Sequence, residues 1–238
     1  MNLALLQLSD SALPIGGYSH SWGLEAAVDR GLVTDPLTLE AWTLDWLRFG
    51  LGPFEGVVVA AVCRDLGVLA RANEMLDAGI AAPTLRNASR DMGRQLLALA
   101  EVWPWAERAV TMLSPAPSSP APLPRSTEGE GSKRVQSEKN WHHAPVFAAL
   151  AATAGATPRE ATAAFLHQAA LGMIGAGVRV IPIGHTHGQQ ILARLHEALA
   201  TLADELSERE LETAGSSCPA YEVLCHAQSQ LYTRLFRS

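Results

Sequence analysis

Apolar residues recur in steps of three and four along most of the chain, the spacing of one buried helix face. Val58, Val62, Leu66, Leu69, Met75 and Leu76 form one such series. Leu192, Leu195, Leu199, Leu202 and Leu206 form another, with Arg194, Glu197, Asp204, Glu205 and Glu208 turned to the opposite face. No long stretch alternates β-branched with polar residues. The best strand candidate, Val178–Ile183, contains Pro182, which cannot donate to a ladder.

Start and stop signals cut this pattern into roughly eight helices. Ser19 or Ser21 can cap a helix over Trp22–Arg30 that Gly31 closes. Asp35-Pro36 opens a second, with proline in the first turn where its missing N–H costs nothing. Gly50 and Gly52-Pro53 are expected to end it and launch a third, from about Phe54 to Ala78. A fourth runs from Pro83 to about Met112, broken or kinked at Trp103-Pro104-Trp105. Pro145 starts a short helix, Thr157-Pro158 a longer one to about Gly177, then Gly188–Glu212 and Pro219–Leu235 complete the set. The expected fold is all-α, a single globular bundle over residues 1–238.

The stretch 114–140 differs. SPAPSSPAPLP followed by RSTEGEGSKRVQSEKN offers proline, glycine, serine and mixed charge but little apolar area to offset ordering entropy. It reads as a disordered linker, with helices on both sides able to share one bundle. Beyond it, Ala161, Ala163, Ala164, Ala169, Ala170, Gly172, Gly175, Ala176 and Gly177 favour close helix contact inside the bundle.

Composition narrows the function. Of 238 residues 48% are hydrophobic and 18% charged, which excludes a chain disordered throughout. The net charge of -6 argues against broad contact with nucleic-acid phosphates. The N-terminus lacks the basic region of a signal peptide, and the longest uncharged apolar stretch, Ala169–Val178, is too short to span a membrane. A cytoplasmic protein is expected. Cys63, Cys218 and Cys225 have neither disulfide nor zinc spacing and read as small buried hydrophobes. There is no P-loop, dinucleotide fingerprint, nucleophile elbow or HExxH. An enzyme is not expected, nor a bound cofactor. The close histidine pairs, His142-His143 and His185-Thr186-His187, supply only two imidazoles each, and hydrogen-bonding roles suit them better than a lasting metal site.

Two segments stand apart. Ala12-Leu13-Pro14-Ile15-Gly16-Gly17-Tyr18-Ser19-His20 makes a stiff turn into a helix that displays Tyr18, with Gly16-Gly17 free to take positive φ. The C-terminus places Leu235 and Phe236 between Arg234 and Arg237, the composition of an interface anchor.

Together these segments resemble the UreF family of urease accessory proteins. LLQLSDSALPIGGYSHSWGLEAAV is similar to its N-terminal signature, SRDMGRQLLALA to its Arg-rich central helix, and His143-x-Pro145-Val146-Phe147 to a helix start. VRVIPIGHTHGQ and YTRLFRS are similar to its later signatures. The resemblance implies an all-α, dimeric, non-enzymatic adaptor. It would bind UreD (also called UreH) and recruit the GTPase UreG for GTP-dependent nickel delivery to apo-urease. It further implies that Tyr18 serves dimer and complex assembly, that Arg234 meets UreG, and that Glu25 lies on the UreG-facing surface. His20 and Gln189 fall within the same signatures and join Arg179 and Phe236 as expected partner-binding residues. Arg179 and Arg234 are the candidates to reach a partner's phosphates. Where the family pattern reads GQTDGQ, this chain has Gly184-His185-Thr186-His187-Gly188-Gln189, so His185 and His187 are its only metal candidates. The competing readings are a helical small-molecule binder with His185, His187 and Arg179 lining a pocket, and a Ni²⁺ carrier using the histidine pairs.

Overall fold

The computed structural model describes residues 1–114 and 140–237. Apart from its two end residues, the segment expected to be disordered lies outside them. Among the described residues there are ten helices and no strand: α1 Leu3–Leu8, α2 Leu24–Asp29, α3 Pro36–Arg64, α4 Leu69–Gly79, α5 Pro83–Ala100, α6 Glu107–Leu113, α7 His143–Thr153, α8 Pro158–Val180, α9 His185–Ser207 and α10 Pro219–Gln228. The strand candidate is instead the last turn of α8 followed by an extended Ile181.

Local chemistry sets most of the boundaries. Asp35 accepts from Leu37 N and Thr38 N, both at 2.9 Å, and Thr38 Oγ1 accepts from Asp35 N at 3.0 Å, a reciprocal capping box at the start of α3. Thr157 and Glu160 repeat the device at α8. Gly31, at φ +70°, closes the chain after α2 as expected. Trp103-Pro104-Trp105 does interrupt the Arg-rich helix, between α5 and α6.

Four helices differ in their bounds from the sequence expectation. Gly50 and Gly52-Pro53 do not end a helix. The chain passes through them as a π-helical stretch, Trp46–Gly56, inside the 29-residue α3. The wider coil accepts a residue without an N–H, and Val57 N bonds Gly52 O, five residues back. A Cβ at Gly52 would lie 2.3 Å from Leu47 O, so this coil requires glycine there. The next helix does not run from Phe54 to Ala78 either. Asp65 turns extended and its carboxylate accepts from Gly67 N at 2.8 Å, which separates α3 from α4. Finally, α10 stops at Gln228, well short of Leu235, and α9 spans His185–Ser207 rather than Gly188–Glu212.

Two apolar cores form. One joins α4, α5, α6 and α7 through Leu76, Leu96, Leu113 and Phe147. The other joins α2, α9 and α10 through Leu24, Ile191, Leu195 and Leu224. Helices α3 and α8 face both: α3 gives Val58 and Val62 to the first and Leu39 and Leu47 to the second, and α8 gives Phe165 to the first and Leu166 to the second. By length and composition alone these two helices could cross a membrane, but their apolar windows are 67% and 56% buried in the fold. The small-residue stretch of α8 does serve close packing inside the bundle, since a Cβ at Gly177 would meet Leu39 Cδ2 at 2.4 Å.

The junction of α5 with the chain entering α7 is tight. A Cβ at Gly93 would sit 2.2 Å from Trp141 O. His142, fully buried, has Nδ1 3.1 Å from Ser89 Oγ and Nε2 3.1 Å from Asp77 Oδ1, while Arg90 also pairs with Asp77. Trp141 Nε1 donates to Leu113 O at 2.8 Å, so the chain re-enters beside the point where it left.

Candidate functional site

Three segments distant in sequence converge on one surface. The first is the turn before α2. Gly16 takes φ +84°, as its position demands, and Gly17–Ser19 form a short 3-10 turn. Tyr18 on that turn is 73% exposed. The second is the last turn of α8, which carries Arg179. The third is the C-terminal tail beyond α10.

Arg179 ties these together. Its Nη1 donates to Tyr18 O at 2.8 Å and its Nε to Gly175 O at 3.1 Å. Its guanidinium lies 3.7 Å from the Tyr18 ring centroid and 4.3 Å from that of Phe236. Burial lowers the Arg179 pKa, with Tyr18 acting in the opposite direction. Glu25, in the first turn of α2, accepts from Leu235 N at 2.6 Å and from Phe236 N at 3.2 Å. Arg237 N donates to Ser19 O at 2.9 Å. The tail thus bonds through its backbone to the N-terminal segment. Phe236, read from the sequence as an interface anchor with a fold-back onto its own bundle as the alternative, is buried in its own chain, because leaving the helix at Gln228 lets the chain turn back under Arg179. Tyr232, Arg234 and Leu235 remain exposed around it.

Beneath this surface the contact is polar and internal. Gln228 Oε1 accepts from Ser21 Oγ at 2.9 Å and from Gly23 N at 3.0 Å. His20 is buried, its pKa lowered first by burial and then by Arg237, against an upward pull from Asp91. Trp22 is the one non-glycine residue at positive φ among the described residues, at 49°, and its indole stacks on Trp46 at 5.7 Å. Such a conformation costs on the order of 1 kcal/mol and persists because packing holds it. Gln228 and Trp22 were not singled out from the sequence. A glutamine on an ordinary helix and a tryptophan beside a glycine announce nothing about backbone strain or long-range pairing.

A family model described as UreF matches residues 33–196. Whole-length relatives extend the likeness to both ends. The urease accessory protein UreF of Methylibium petroleiphilum is 34% identical over 246 residues, covering 99% of this chain and 93% of that protein. The protein of the same name from Nostoc sp. is 32% identical over 244 residues, covering 99% and 95%. The chain belongs to the UreF family. UreF is a family of accessory proteins, in keeping with a chain that is not a catalyst.

The remaining expected residues of this UreF chain lie on α9. His185, His187 and Gln189 are exposed, and they sit on α9 rather than on a loop. His187 Nδ1 accepts from Gly184 N at 3.3 Å, so one of the two imidazoles caps its own helix. No group of three or more His, Cys, Asp or Glu side chains gathers among the described residues. His142 and His143 are both buried, the first in the Ser89–Asp77 network and the second against Phe147 and Phe165. The cysteines are free thiols; Cys225 is buried and Cys63 and Cys218 partly so.

Proposed function

We propose that this chain is a non-enzymatic adaptor in urease maturation, working as one unit. In this reading it binds a UreD-type (UreH-type) protein, recruits a UreG-type GTPase, and so supports GTP-dependent nickel insertion into apo-urease. It works in the cytoplasm as a homodimer, without a cofactor of its own, and meets neither nucleic acid nor membrane. The observation that carries the reading is the tail clamp. Glu25, Arg179 and Tyr18 hold the C-terminal residues against the N-terminal signature, so motifs from both ends present one continuous surface. His20 and Phe236 shape that surface from beneath, while Arg234 is free to reach outward. Gln189 extends it along α9.

An adaptor of this kind acts by differential affinity. It must hold one nucleotide state of its GTPase more tightly than the other, since equal binding shifts nothing. Deleting residues 234–238 is expected to abolish co-purification with the UreD-type and UreG-type partners while far-UV circular dichroism stays unchanged. Normal assembly by the truncated chain would refute the clamp's role. Tyr18→Ala is expected to weaken dimer or complex formation, read by light scattering.

A further inference from the structure

A cavity of about 180 Å³ lies inward of Tyr18 and Arg179. Its walls include Trp22, Trp46, Leu51, Phe165, His143 and Glu55. Among the described residues the Glu55 carboxyl forms neither a hydrogen bond nor an ion pair. Nor does His143 Nε2 have a hydrogen-bond partner, although the residue is only 6% exposed. A buried imidazole nitrogen and a half-buried carboxyl therefore line this cavity without a partner in the protein. A buried polar atom left in this condition is costly and calls for a partner from outside the chain.

The chemistry of the walls selects that ligand. A carboxylate with no donor favours a charge-assisted hydrogen bond from a cation. Indole and phenyl faces attract the same charge and cover an apolar body. A cavity of roughly 150 Å³ admits a benzene ring, so this one has room for a ring carrying a short amine arm. The cation in the neighbourhood, Arg179, is held at the rim by the Tyr18 and Gly175 carbonyls and between the Tyr18 and Phe236 rings, not on Glu55. We infer that this cavity is a binding site for a small aromatic primary ammonium ion, with the ammonium on Glu55 and the ring against Trp22, Leu51 and Phe165. The site shares Tyr18 and Arg179 with the tail clamp at its rim, but its ligand is argued from the inner walls and does not depend on the adaptor reading.

Binding of a cation there is linked to protons. Burial raises the Glu55 carboxyl to about 7, so the free site holds a proton in mildly acid solution and releases it to solvent when an ammonium ion binds. The other titratable or charged groups around it are Asp10 and Tyr18 from the N-terminal segment, His143 from α7, Arg179 from α8, and Tyr221 and Glu222 from α10. His143 is pushed down to about 4 by burial and Tyr221 well up by burial, so neither titrates near neutrality.

The test uses the full-length protein with benzylamine as the probe and benzyl alcohol as its neutral counterpart, followed by titration calorimetry and tryptophan fluorescence. Benzylamine is expected to bind at about pH 8 with a dissociation constant of about 1 mM or tighter. Its affinity should fall about tenfold at about pH 6, as Glu55 takes up its proton. The alcohol should bind more weakly and without pH dependence. Glu55→Gln, which keeps the shape, should lose about tenfold in amine affinity at pH 8 and all of its pH dependence. Equal affinity for amine and alcohol, an unchanged Gln variant, or no heat and no fluorescence change up to about 10 mM amine would each overturn the assignment.

Discussion

His143 and Glu55 show how single residues set the response of the molecule to pH. The His143 imidazole takes a proton near 6.5 in an open chain but only near 4 in the fold, because burial disfavours its charge. Its stabilising contribution is complete above pH 6.5 and is lost as the pH falls toward 4, to the extent of about 3 kcal/mol. His20, His142 and His167 are lowered in the same direction, also chiefly by burial. Glu55 works the other way. Its folded carboxyl keeps a proton up to about 7, so stability declines as the pH rises from about 4.5 through 7, again by about 3 kcal/mol. Urea melts across pH 5 to 8 should therefore show the Gln variant at Glu55 gaining stability over the parent toward pH 8, with a steeper loss on the acid side. Little of this was legible in the sequence. Eight histidines were visible as a composition, and His142-His143 as a pair, but only the packing of α7 against α5 buries both. Glu55 drew no notice, since a carboxylate next to Gly56 on an apolar helix looks like an ordinary exposed position.

At the scale of elements, caps were readable and coil geometry was not. Asp35-Pro36 and Thr157-Pro158 fixed two helix starts because the capping chemistry is local and complete within four residues. Replacing Asp35 with alanine removes the acceptor for two backbone N–H groups and should lower the urea midpoint with the slope unchanged. Gly52-Pro53 misled for a physical reason. The same dipeptide that ends an α-helix is accommodated by a π-helical stretch, and the choice is made by what lies on either side. Here both flanks are committed to cores, Leu39 and Leu47 on one side and Val58 and Val62 on the other, so an unbroken α3 buries more than two shorter helices could. The His185-x-His187 pair was misplaced for a related reason: the N-terminal turn of α9 begins three residues before Gly188, with a histidine in the role usually taken by an acidic or amide cap partner.

For the molecule as a whole, the all-α architecture and the change of character at 114–140 followed from periodicity and composition. The return of the tail to the N-terminal signature did not. Glu25 and Leu235 are 210 positions apart, and no local pattern encodes a contact at that range. The bond between Trp141 and Leu113 has a different kind of consequence. It fastens the two strands of chain at the base of the excursion, so the native bundle is indifferent to how much sequence is carried between them. Loop-closure entropy changes only with the logarithm of length. Exchanging 115–139 for about six glycine and serine residues should leave the melting temperature unchanged or raise it by a few degrees, by about 1 kcal/mol of stability in scanning calorimetry. The same doorway works in reverse: a fluorescent reporter or an affinity handle spliced there travels with the bundle and leaves both chain ends undisturbed.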